Sequence, residues 1–393
     1  MNYKHKYEKY KQRYLDLKQS EYDPVKIGGS ATENNNIYVI VTGGTGTVGK
    51  ALIQKLIKEK INVINIIRNK PTTNIDLITN ISISDDPFDT DGLKSNKNVK
   101  TVLKKCYYTV NTIKTGNKDA KFFIVNSAAD KDVNAVKKSM DESKYSDINY
   151  HWSIYFTQSL VEFAKELNIP LIHYSTVYVQ KGESNDEWGI ERKYVQKQDK
   201  PQSNDAYVYG YVKSLVEDII LDNYSSSFVI RLPGIIDERL GKLNETSPSN
   251  VVLSLLDKHN QANNIREEQI LIMDNWQQRY PITAQIVAKF TYDIIDKIKD
   301  CNIIVGGIIN LGGTEPFTKY ELAVQAVTRY SFNYVKVKSV EQVNLSLPKS
   351  EKMLMINSNL PKCLDGMDYK NYKLEDPITK VLSACDKLVN DII

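Results

Sequence analysis

The sequence predicts an α/β protein with a doubly wound parallel sheet and a smaller C-terminal lobe. Three observations lead to this fold class. Short apolar segments typical of buried strands alternate with helical patterns from residue 37 onward. A glycine-rich turn, "GGTGTVG", directly follows the first strand-like segment and opens a helix. The chain has 393 residues, 41% of them apolar, which is enough for a substantial buried core.

The first half of the sequence contains four predicted strands. "IYVIVT" (37 to 42) predicts the first strand, "GTVGKALIQKLIKEK" the first helix and "INVINIIR" (61 to 68) the second strand. "NIDLITNISI" and "KFFIVNSAA" predict the third and fourth strands, with a helix near 99 to 113 between them. The apolar residues of that helix share one face: Val99, Val102, Leu103, Cys106 and Val110.

The second half continues the same alternation. A helix at 147 to 167 leads into the strand "IPLIHYST" (169 to 176), and a tyrosine-rich helix at 207 to 223 leads into "SFVIRLP" (227 to 233). "GGIINLGG" (306 to 313) predicts a last strand of the same sheet. Because crossovers between parallel strands are right-handed, these strands should form one sheet with helices on both faces.

Composition divides the chain into three expected regions. Residues 1 to 36 form a basic, Tyr- and Lys-rich extension and linker. Residues 37 to 233 are expected to form a nucleotide-binding domain. Residues 234 to 393 are expected to form mainly a substrate-binding lobe, with a returning sheet strand near 306 to 313.

The extension spaces its aromatic residues like the a and d positions of a short basic helix: Tyr3, Tyr7, Tyr10, Tyr14 and Leu17. Fewer than about three heptads do not hold a coiled coil together alone in water. The extension is therefore either a solvated or docking segment or a specific oligomerisation or targeting device. It resembles the Lys- and Tyr-rich leaders of giant DNA virus proteins.

Composition and charge argue against several function classes. The formal net charge is +4 and no basic stripe interleaved with aromatic residues occurs, so nucleic acid is not an expected ligand. No apolar run is long enough for a membrane span and no apolar signal segment follows Lys4, so we expect a cytoplasmic protein, in the host cytoplasm or the virion if it is viral. The four cysteines and four histidines show no ligand spacing, so we expect neither a metal site nor a disulfide framework.

The glycine-rich turn predicts a dinucleotide site. Gly43, Gly46 and Gly49 lie three residues apart between a strand and a helix. Glycine allows the tight turn and the close approach of the backbone to a pyrophosphate, and the helix N-terminus offers unpaired N–H groups. This context indicates a Rossmann domain, in which Thr45 and Val48 of the same turn should also contact the cofactor.

The end of the second strand bears on the choice between NAD and NADP. An acidic residue there binds the ribose of NAD, whereas an arginine accommodates the 2′-phosphate of NADP. Here Arg68 ends the strand and no acidic residue lies between Val63 and Lys70. The sequence therefore favours NADP(H). The other expected cofactor contacts follow two later strands: Asn126, Ala128, Ala129 and Pro233.

The stretch "AYVYGYVKSLVED" places three tyrosines before Lys213. Residues four apart on a helix lie one turn above each other, and only Tyr209 is four residues before Lys213. A phenol titrates near a pKa of about 10, and an adjacent ammonium lowers that pKa toward the range of a general acid or base. Tyr207 and Tyr211 are expected to have packing or surface roles.

Together with the glycine turn, "NSAA" (126 to 129), "STVY" (175 to 178) and "YGYVK" (209 to 213) resemble the extended short-chain dehydrogenase/reductase family. The resemblance implies a catalytic set of a hydroxyl, a phenol and an ammonium: Thr176, Tyr209 and Lys213. Ser175 is the alternative hydroxyl or a substrate contact. Lys213 and the phenol beside it would also hold the nicotinamide ribose.

Two later segments are more distinctive: "MDNWQQRYPITAQIVAKF" (273 to 290) and "GIINLGGTEPFTKYELAVQAV" (307 to 327). They are similar to the branch of the family that contains dTDP-4-dehydrorhamnose reductase and the regulatory β subunit of methionine adenosyltransferase. This resemblance implies NADPH-dependent reduction of a nucleotide-linked 4-keto-6-deoxysugar, in a possible homodimer or hetero-oligomer. Gln278 and Arg279 are then either contacts to the substrate or an intramolecular pairing that closes the lobe.

Two other functions stay open at this point. One is a non-catalytic NADP-binding regulatory subunit that resembles the β subunit of methionine adenosyltransferase, and the other is a structural protein that reuses the fold. The chain departs from the family at Val177, where an aspartate is usual, in the longer segment between Thr176 and Tyr209, and at 234 to 256, which lack the usual Gly-Asn-Phe-like segment. Two polar segments, at 178 to 205 and 234 to 280, are too long for plain connections. We expect these segments to form a lid or substrate lobe, so the departures concern the substrate.

Overall fold

The computed structural model describes residues 36–67, 77–82, 96–128, 152–179, 187–188, 205–237, 248–340, 350–353 and 361–392. The extension at 1 to 36 lies outside these residues, apart from Asn36. The helices are α1 (Thr47–Lys58), α2 (Asn96–Gly116), α3 (Trp152–Leu167), α4 (Asp205–Asn223), α5 (Asn250–Ile265), α6 (Ala284–Ile298), α7 (Lys319–Tyr330) and α8 (Pro377–Ile392). The strands are β1 (Ile37–Thr42), β2 (Asn62–Ile67), β3 (Ile78–Ser82), β4 (Lys121–Asn126), β5 (Leu171–Thr176), β6 (Glu187–Trp188), β7 (Ser227–Leu232), β8 (Ile235–Ile236), β9 (Gln269–Asp274), β10 (Ile282–Thr283), β11 (Gly307–Asn310), β12 (Val335–Val340) and β13 (Ser350–Met353).

Seven strands form one sheet in the order β11-β7-β5-β4-β1-β2-β3. Every neighbouring pair in this sheet is parallel. The order reverses at β1, because β2 and β3 lie on one side of it and β4, β5, β7 and β11 on the other. The predicted doubly wound parallel sheet is therefore confirmed, and the reversal leaves a crevice at the carboxyl ends of β1 and β4.

Helices cover both faces of the sheet. In β1, Val39 and Val41 belong to a core shared with α1 and α6, whereas Ile40 belongs to a second core shared with α2, α3 and α4. Side chains alternate between the two faces of a strand, so burial of both faces explains why β1 is a continuous apolar run. The predicted apolar face of α2 is confirmed, since its five residues are all buried: Val99, Val102, Leu103, Cys106 and Val110.

Helix α6 packs beneath the sheet although it lies within residues 234 to 393, which were expected to form mainly the substrate lobe. It begins after Thr283, whose side chain accepts a hydrogen bond from the backbone N–H of Ile286. Phe290 is fully buried in the core shared with α1, and the Lys55 ammonium of α1 lies 4.7 Å from the centre of the Tyr292 ring. The C-terminal part of the chain thus contributes α6 and β11 to the sheet layer.

A third core lies between α5, α7 and α8 in the C-terminal lobe. It includes Leu255 on α5, Leu322 on α7 and Leu382 on α8. Helix α5 falls inside the polar segment at 234 to 280, which is more regular than its sequence indicates. Its asparagines are weak helix formers, so burial of Val252 and Leu255 against the neighbouring helices stabilises it instead.

Three two-stranded sheets lie outside the main sheet: β10 with β8, β12 with β9 and β13 with β6. The β8–β10 pair connects the segment after β7 to the start of α6. Over the described residues, no helix combines the length and apolar character that a membrane crossing requires.

We predict that Leu56→Ala destabilises the protein strongly. Leu56 on α1 is fully buried in the core shared with α6, so its truncation leaves a cavity and should lower the free energy of unfolding by about 2–5 kcal/mol. Urea unfolding followed by circular dichroism measures this change. Gln54→Ala, at an exposed position of the same helix, is the matched control and should stay within about 0.5 kcal/mol of the wild type. Equal effects of the two variants would contradict the packing described here.

Candidate active site

The glycine turn packs tightly against the end of β4. Gly43 has a φ of 70°, in the left-handed region, and a Cβ there would lie 2.6 Å from the backbone N of Ala128. A Cβ on Gly49 would lie 2.3 Å from the carbonyl oxygen of Gly43. Gly46 differs, because within the described part of the chain a Cβ there would meet only the Gly43 carbonyl oxygen, at 3.3 Å. The turn is therefore closed toward the sheet and accessible at Gly46, where α1 begins.

This geometry fits an anion at the start of α1. Gly46 is the N-cap residue of α1, it makes no side-chain capping bond, and the first turn contains no acidic residue. The N–H groups of a helix N-terminus attract negative charge. Thr45 and Gly46 are exposed and Val48 is partly exposed, so the predicted turn residues can be reached from solvent.

One carboxylate also approaches this helix end. The Thr47 hydroxyl donates a hydrogen bond to Oδ2 of Asp237, 3.0 Å away, and Asp237 follows β8. The contact joins residues that are 190 positions apart in the chain. No local pattern in the sequence indicates it.

A row of polar side chains crosses the sheet where the strand order reverses. The Thr42 hydroxyl donates to Oδ1 of Asn126 at 2.6 Å, which connects the ends of β1 and β4. Asn126 Nδ2 lies 3.0 Å from Nδ1 of His173 on β5, and the Ser127 hydroxyl donates to the Thr42 carbonyl oxygen. Asn126, which we predicted as a cofactor residue, thus organises the strand ends.

His173 in this row carries no charge at neutral pH. Burial lowers its pKa well below the ordinary value, and the nearby Lys213 ammonium lowers it further. Because Asn126 Oδ1 accepts from Thr42 and from the Ala128 N–H, the amide nitrogen faces His173, and His173 Nδ1 then accepts. No pattern in the sequence indicated a role for His173, since a lone histidine in a strand carries no signal of its partners.

The three residues of the predicted catalytic set lie on β5 and α4. Thr176 is the last residue of β5, and its Oγ1 accepts a hydrogen bond from the backbone N–H of Tyr178 at 3.3 Å. The hydroxyl hydrogen of Thr176 can therefore be donated to another acceptor. Tyr209 is partly exposed and lies one turn before the buried Lys213 on α4, whereas Tyr211 is buried.

Gly210 brings α4 close to the end of β5. A Cβ on Gly210 would lie only 1.8 Å from the carbonyl oxygen of Tyr178, in the short 3₁₀ turn Val177–Val179. Only glycine allows this approach of the helix to the backbone that follows Thr176. The sequence alone indicated no role for Gly210, although it lies between Tyr209 and Tyr211.

Lys213 is almost completely buried, and its ammonium donates a hydrogen bond to the Tyr174 carbonyl oxygen at 3.0 Å. Burial lowers the pKa of Lys213 to about 8, although the Glu217 carboxylate acts in the opposite direction. The side chain is therefore mostly cationic at neutral pH. Its two other N–H groups can serve a ligand or the phenol one turn earlier.

The Ser175 hydroxyl already has a buried partner on α4. It donates to Oε1 of Glu217 at 2.5 Å, and Glu217 is held in turn by Arg231 at the end of β7. Adjacent residues of a strand point to opposite faces, so Ser175 and Thr176 differ in direction. The arrangement favours Thr176 over Ser175 as the hydroxyl of the catalytic set.

The predicted substrate residues lie beyond β9. The guanidinium of Arg279 donates to Oδ2 of Asp274 at 3.1 Å and to Oε1 of Gln277 at 2.5 Å. Its backbone also pairs with that of Phe317 in an isolated antiparallel bridge. Arg279 therefore makes the intramolecular pairing that the sequence left open, whereas Gln278 is exposed.

Several predicted residues cannot be placed at the site. Arg68 and Ala129 lie outside the described residues, as does the side chain of Tyr207. Pro233 is described, and it lies buried directly after β7. Among the described residues, no group of three or more His, Cys, Asp or Glu side chains could hold a metal ion.

We predict that Gly210→Ala disrupts the site. The added methyl group would collide with the Tyr178 carbonyl, so α4 must shift away from Thr176, and the unfolding temperature should fall by several degrees. Gly116→Ala is the control, because a Cβ on this helical glycine meets nothing within 4 Å and should leave the protein equally or more stable. Thermal unfolding of both variants checks this, and an unaffected Gly210→Ala variant would refute the close contact.

Comparison with known proteins agrees with this architecture. Residues 37–365 match the family model described as the RmlD substrate binding domain. A dTDP-4-dehydrorhamnose reductase from Bacillus anthracis in complex with NADP has a TM-score of 0.58 and 14% identity, over 91% of this chain and 100% of that one. No curated protein sequence matched the chain significantly.

Two further crystal structures are similar at the level of the fold. A dTDP-4-dehydrorhamnose reductase from Clostridium acetobutylicum has a TM-score of 0.55 and 16% identity, over 89% of this chain and 99% of that one. The Bordetella bronchiseptica enzyme WbmG in complex with NAD and UDP has a TM-score of 0.59 and 14% identity, over 90% of this chain and 96% of that one. The family model spans most of the chain, and the chain therefore belongs to the RmlD substrate-binding domain family, with the fold of extended short-chain dehydrogenases/reductases.

Proposed function

We propose that this protein is an NADPH-dependent reductase of a nucleotide-linked 4-keto-6-deoxysugar, similar to dTDP-4-dehydrorhamnose reductase. One observation carries the proposal. Thr176 ends β5, and α4, which bears Tyr209 and Lys213, is pressed against the next residues through Gly210. This supports a site with hydrogen-bond donors from two elements near the carboxyl edge of the sheet, where α/β enzymes bind their ligands.

The glycine turn would hold the cofactor. Gly46 is open to an approaching pyrophosphate, and the start of α1 supplies N–H groups for its oxygens. NADPH, when bound, supplies the hydride for the reduction. Arg68 supports NADPH over NADH on sequence grounds, and the related Bacillus anthracis reductase was crystallised with NADP. Thr45, Val48, Asn126 and the segment at 128 to 129 would complete the cofactor site, with Pro233 at its far end.

Reduction of the ketone adds a hydride to the carbonyl carbon and a proton to the carbonyl oxygen. Tyr209 would donate this proton, and its phenolate would be reprotonated from solvent after product release. The Lys213 ammonium stabilises the phenolate. Thr176 would donate a hydrogen bond to the same carbonyl oxygen, where negative charge develops.

The substrate would lie between the catalytic set and the segment after β9. Gln278 is exposed there, and Arg279 is held in place by Asp274 and Gln277. A guanidinium fixed in this way is preorganised for a phosphate or a sugar hydroxyl. The Bordetella WbmG structure, which contains UDP, is consistent with a nucleotide-linked ligand.

A second candidate is a non-catalytic NADP-binding subunit of a methionine adenosyltransferase. The segment from Trp276 to Pro281, which resembles the regulatory β subunit, is the observation that favours it. The test is to incubate the protein with NADPH and a panel of 4-keto sugar nucleotides and to follow the absorbance of the reduced cofactor. Binding of NADPH without any oxidation would favour the regulatory role.

We predict that Tyr209→Phe abolishes most of the ketone reduction. Loss of the proton donor should lower kcat by about 10²–10⁴-fold, while the Kd for NADPH stays near the wild-type value. Tyr211→Phe is the matched control two residues away, because Tyr211 is buried and its phenol pKa is raised by that burial. NADPH oxidation and fluorescence titration measure the two quantities. Wild-type turnover by Tyr209→Phe would remove this residue from the mechanism.

We also predict that NADPH raises the unfolding temperature more than NADH at equal concentration. A ligand stabilises the folded state according to its concentration relative to its Kd, so the tighter cofactor gives the larger shift. Arg68→Ala should reduce the shift with NADPH and leave the shift with NADH unchanged. If both cofactors stabilise the wild type equally, the inference from Arg68 is wrong.

A further inference from the structure

A buried ion pair connects α4 to β7, one helical turn after Lys213. Arg231 donates to Glu217 through two nitrogens, with Nε 3.0 Å from Oε1 and Nη2 2.7 Å from Oε2. Both side chains are completely shielded from solvent. Removing two charges from water is costly, and such a pair is often no more stabilising than apolar residues of the same size. Its presence here is therefore better explained by what it positions.

The Glu217 carboxylate joins three elements of the site. Glu217 itself belongs to α4, Arg231 is the penultimate residue of β7, and Ser175 on β5 donates its hydroxyl to the same carboxylate at 2.5 Å. Ser175 immediately precedes Thr176. The carboxylate thus connects α4 to the carboxyl ends of β5 and β7.

Glu217 also lies on the same side of α4 as the proposed proton donor, Tyr209. Tyr209, Lys213 and Glu217 are spaced by four residues, so they lie along one side of α4. The other groups that face the Lys213 ammonium are the Tyr174 carbonyl, which accepts its hydrogen bond, and the neutral His173. The Glu217 carboxylate favours the charged form of Lys213, in the direction opposite to burial.

We propose that Glu217, held by Arg231, is a positioning residue: its negative charge lies one helical turn from Lys213, and its hydrogen bonds seat α4 against the end of β5. This inference rests on the proposed reductase function for its catalytic meaning. Its structural part concerns only the charge and position of Lys213. The two parts can therefore fail separately.

The test is Glu217→Gln, which keeps the size of the side chain and one accepting oxygen but removes its charge and replaces the other accepting oxygen with a donating NH2 group. Burial of Lys213 is then unopposed and Arg231 is left uncompensated, so the Lys213 pKa should fall from about 8 by about one unit or more. Titration of protein labelled with [ε-¹³C]lysine, followed by NMR, measures this shift. Lys213→Arg identifies the resonance.

The same variant should change the pH profile of ketone reduction. The reaction needs cationic Lys213, so activity is lost as pH rises through the Lys213 pKa, and this alkaline limb should move to lower pH in Glu217→Gln. A merely structural defect would lower kcat equally at all pH values. Asp222→Asn, at an exposed position of the same helix, is the matched control and should leave both the titration and the profile unchanged.

A second variant covers the case in which Glu217→Gln does not fold. Glu217→Gln combined with Arg231→Met removes both charges and leaves no uncompensated ion, and such replacements are usually tolerated. The Lys213 pKa should lie between those of the wild type and Glu217→Gln. If the folded variants show the same Lys213 pKa as the wild type, the inference is overturned. Absence of reduction by the wild-type protein would instead overturn the proposed function and leave the titration result standing.

Discussion

The parallel pairing of β1 with β4, which places Thr42 opposite Asn126, is the constraint on which the candidate site depends. The strand order reverses here, so the crossover connections diverge and a crevice opens at the carboxyl edge. The glycine turn follows β1 and lies against the backbone after β4, with no room for a Cβ on Gly43. The hydrogen bonds from Thr42 through Asn126 to His173 then connect this point to β5.

Contacts with the main chain of β5 and of the turn after it position the helix that bears the proposed proton donor. The turn after β5 touches α4 at Gly210, and the Lys213 ammonium is bound by the carbonyl of Tyr174. These two contacts fix the position of α4 relative to Thr176, as a site that stabilises developing charge requires.

Charge in this region is governed by burial. Burial lowers the pKa values of His173 and Lys213 alike, so the histidine is neutral and the lysine is cationic only below about pH 8. Glu217 opposes this effect at Lys213, and Arg231 compensates the charge of Glu217. One buried carboxylate thus connects the electrostatics of the proposed catalytic lysine to the packing of α4 on the sheet.

The sequence by itself determined the alternation of strands and helices, the glycine turn and the spacing of Tyr209 and Lys213. These features are periodic or local, because each depends on residues within one element or one turn. Only the tertiary structure decided that Glu217 binds Arg231, that Asp237 reaches Thr47 and that Arg279 pairs with Asp274. It also placed α6 beneath the sheet and stabilised α5 despite its asparagines. Such contacts depend on how separate elements pack, and a one-dimensional pattern does not record which buried charge lies beside which.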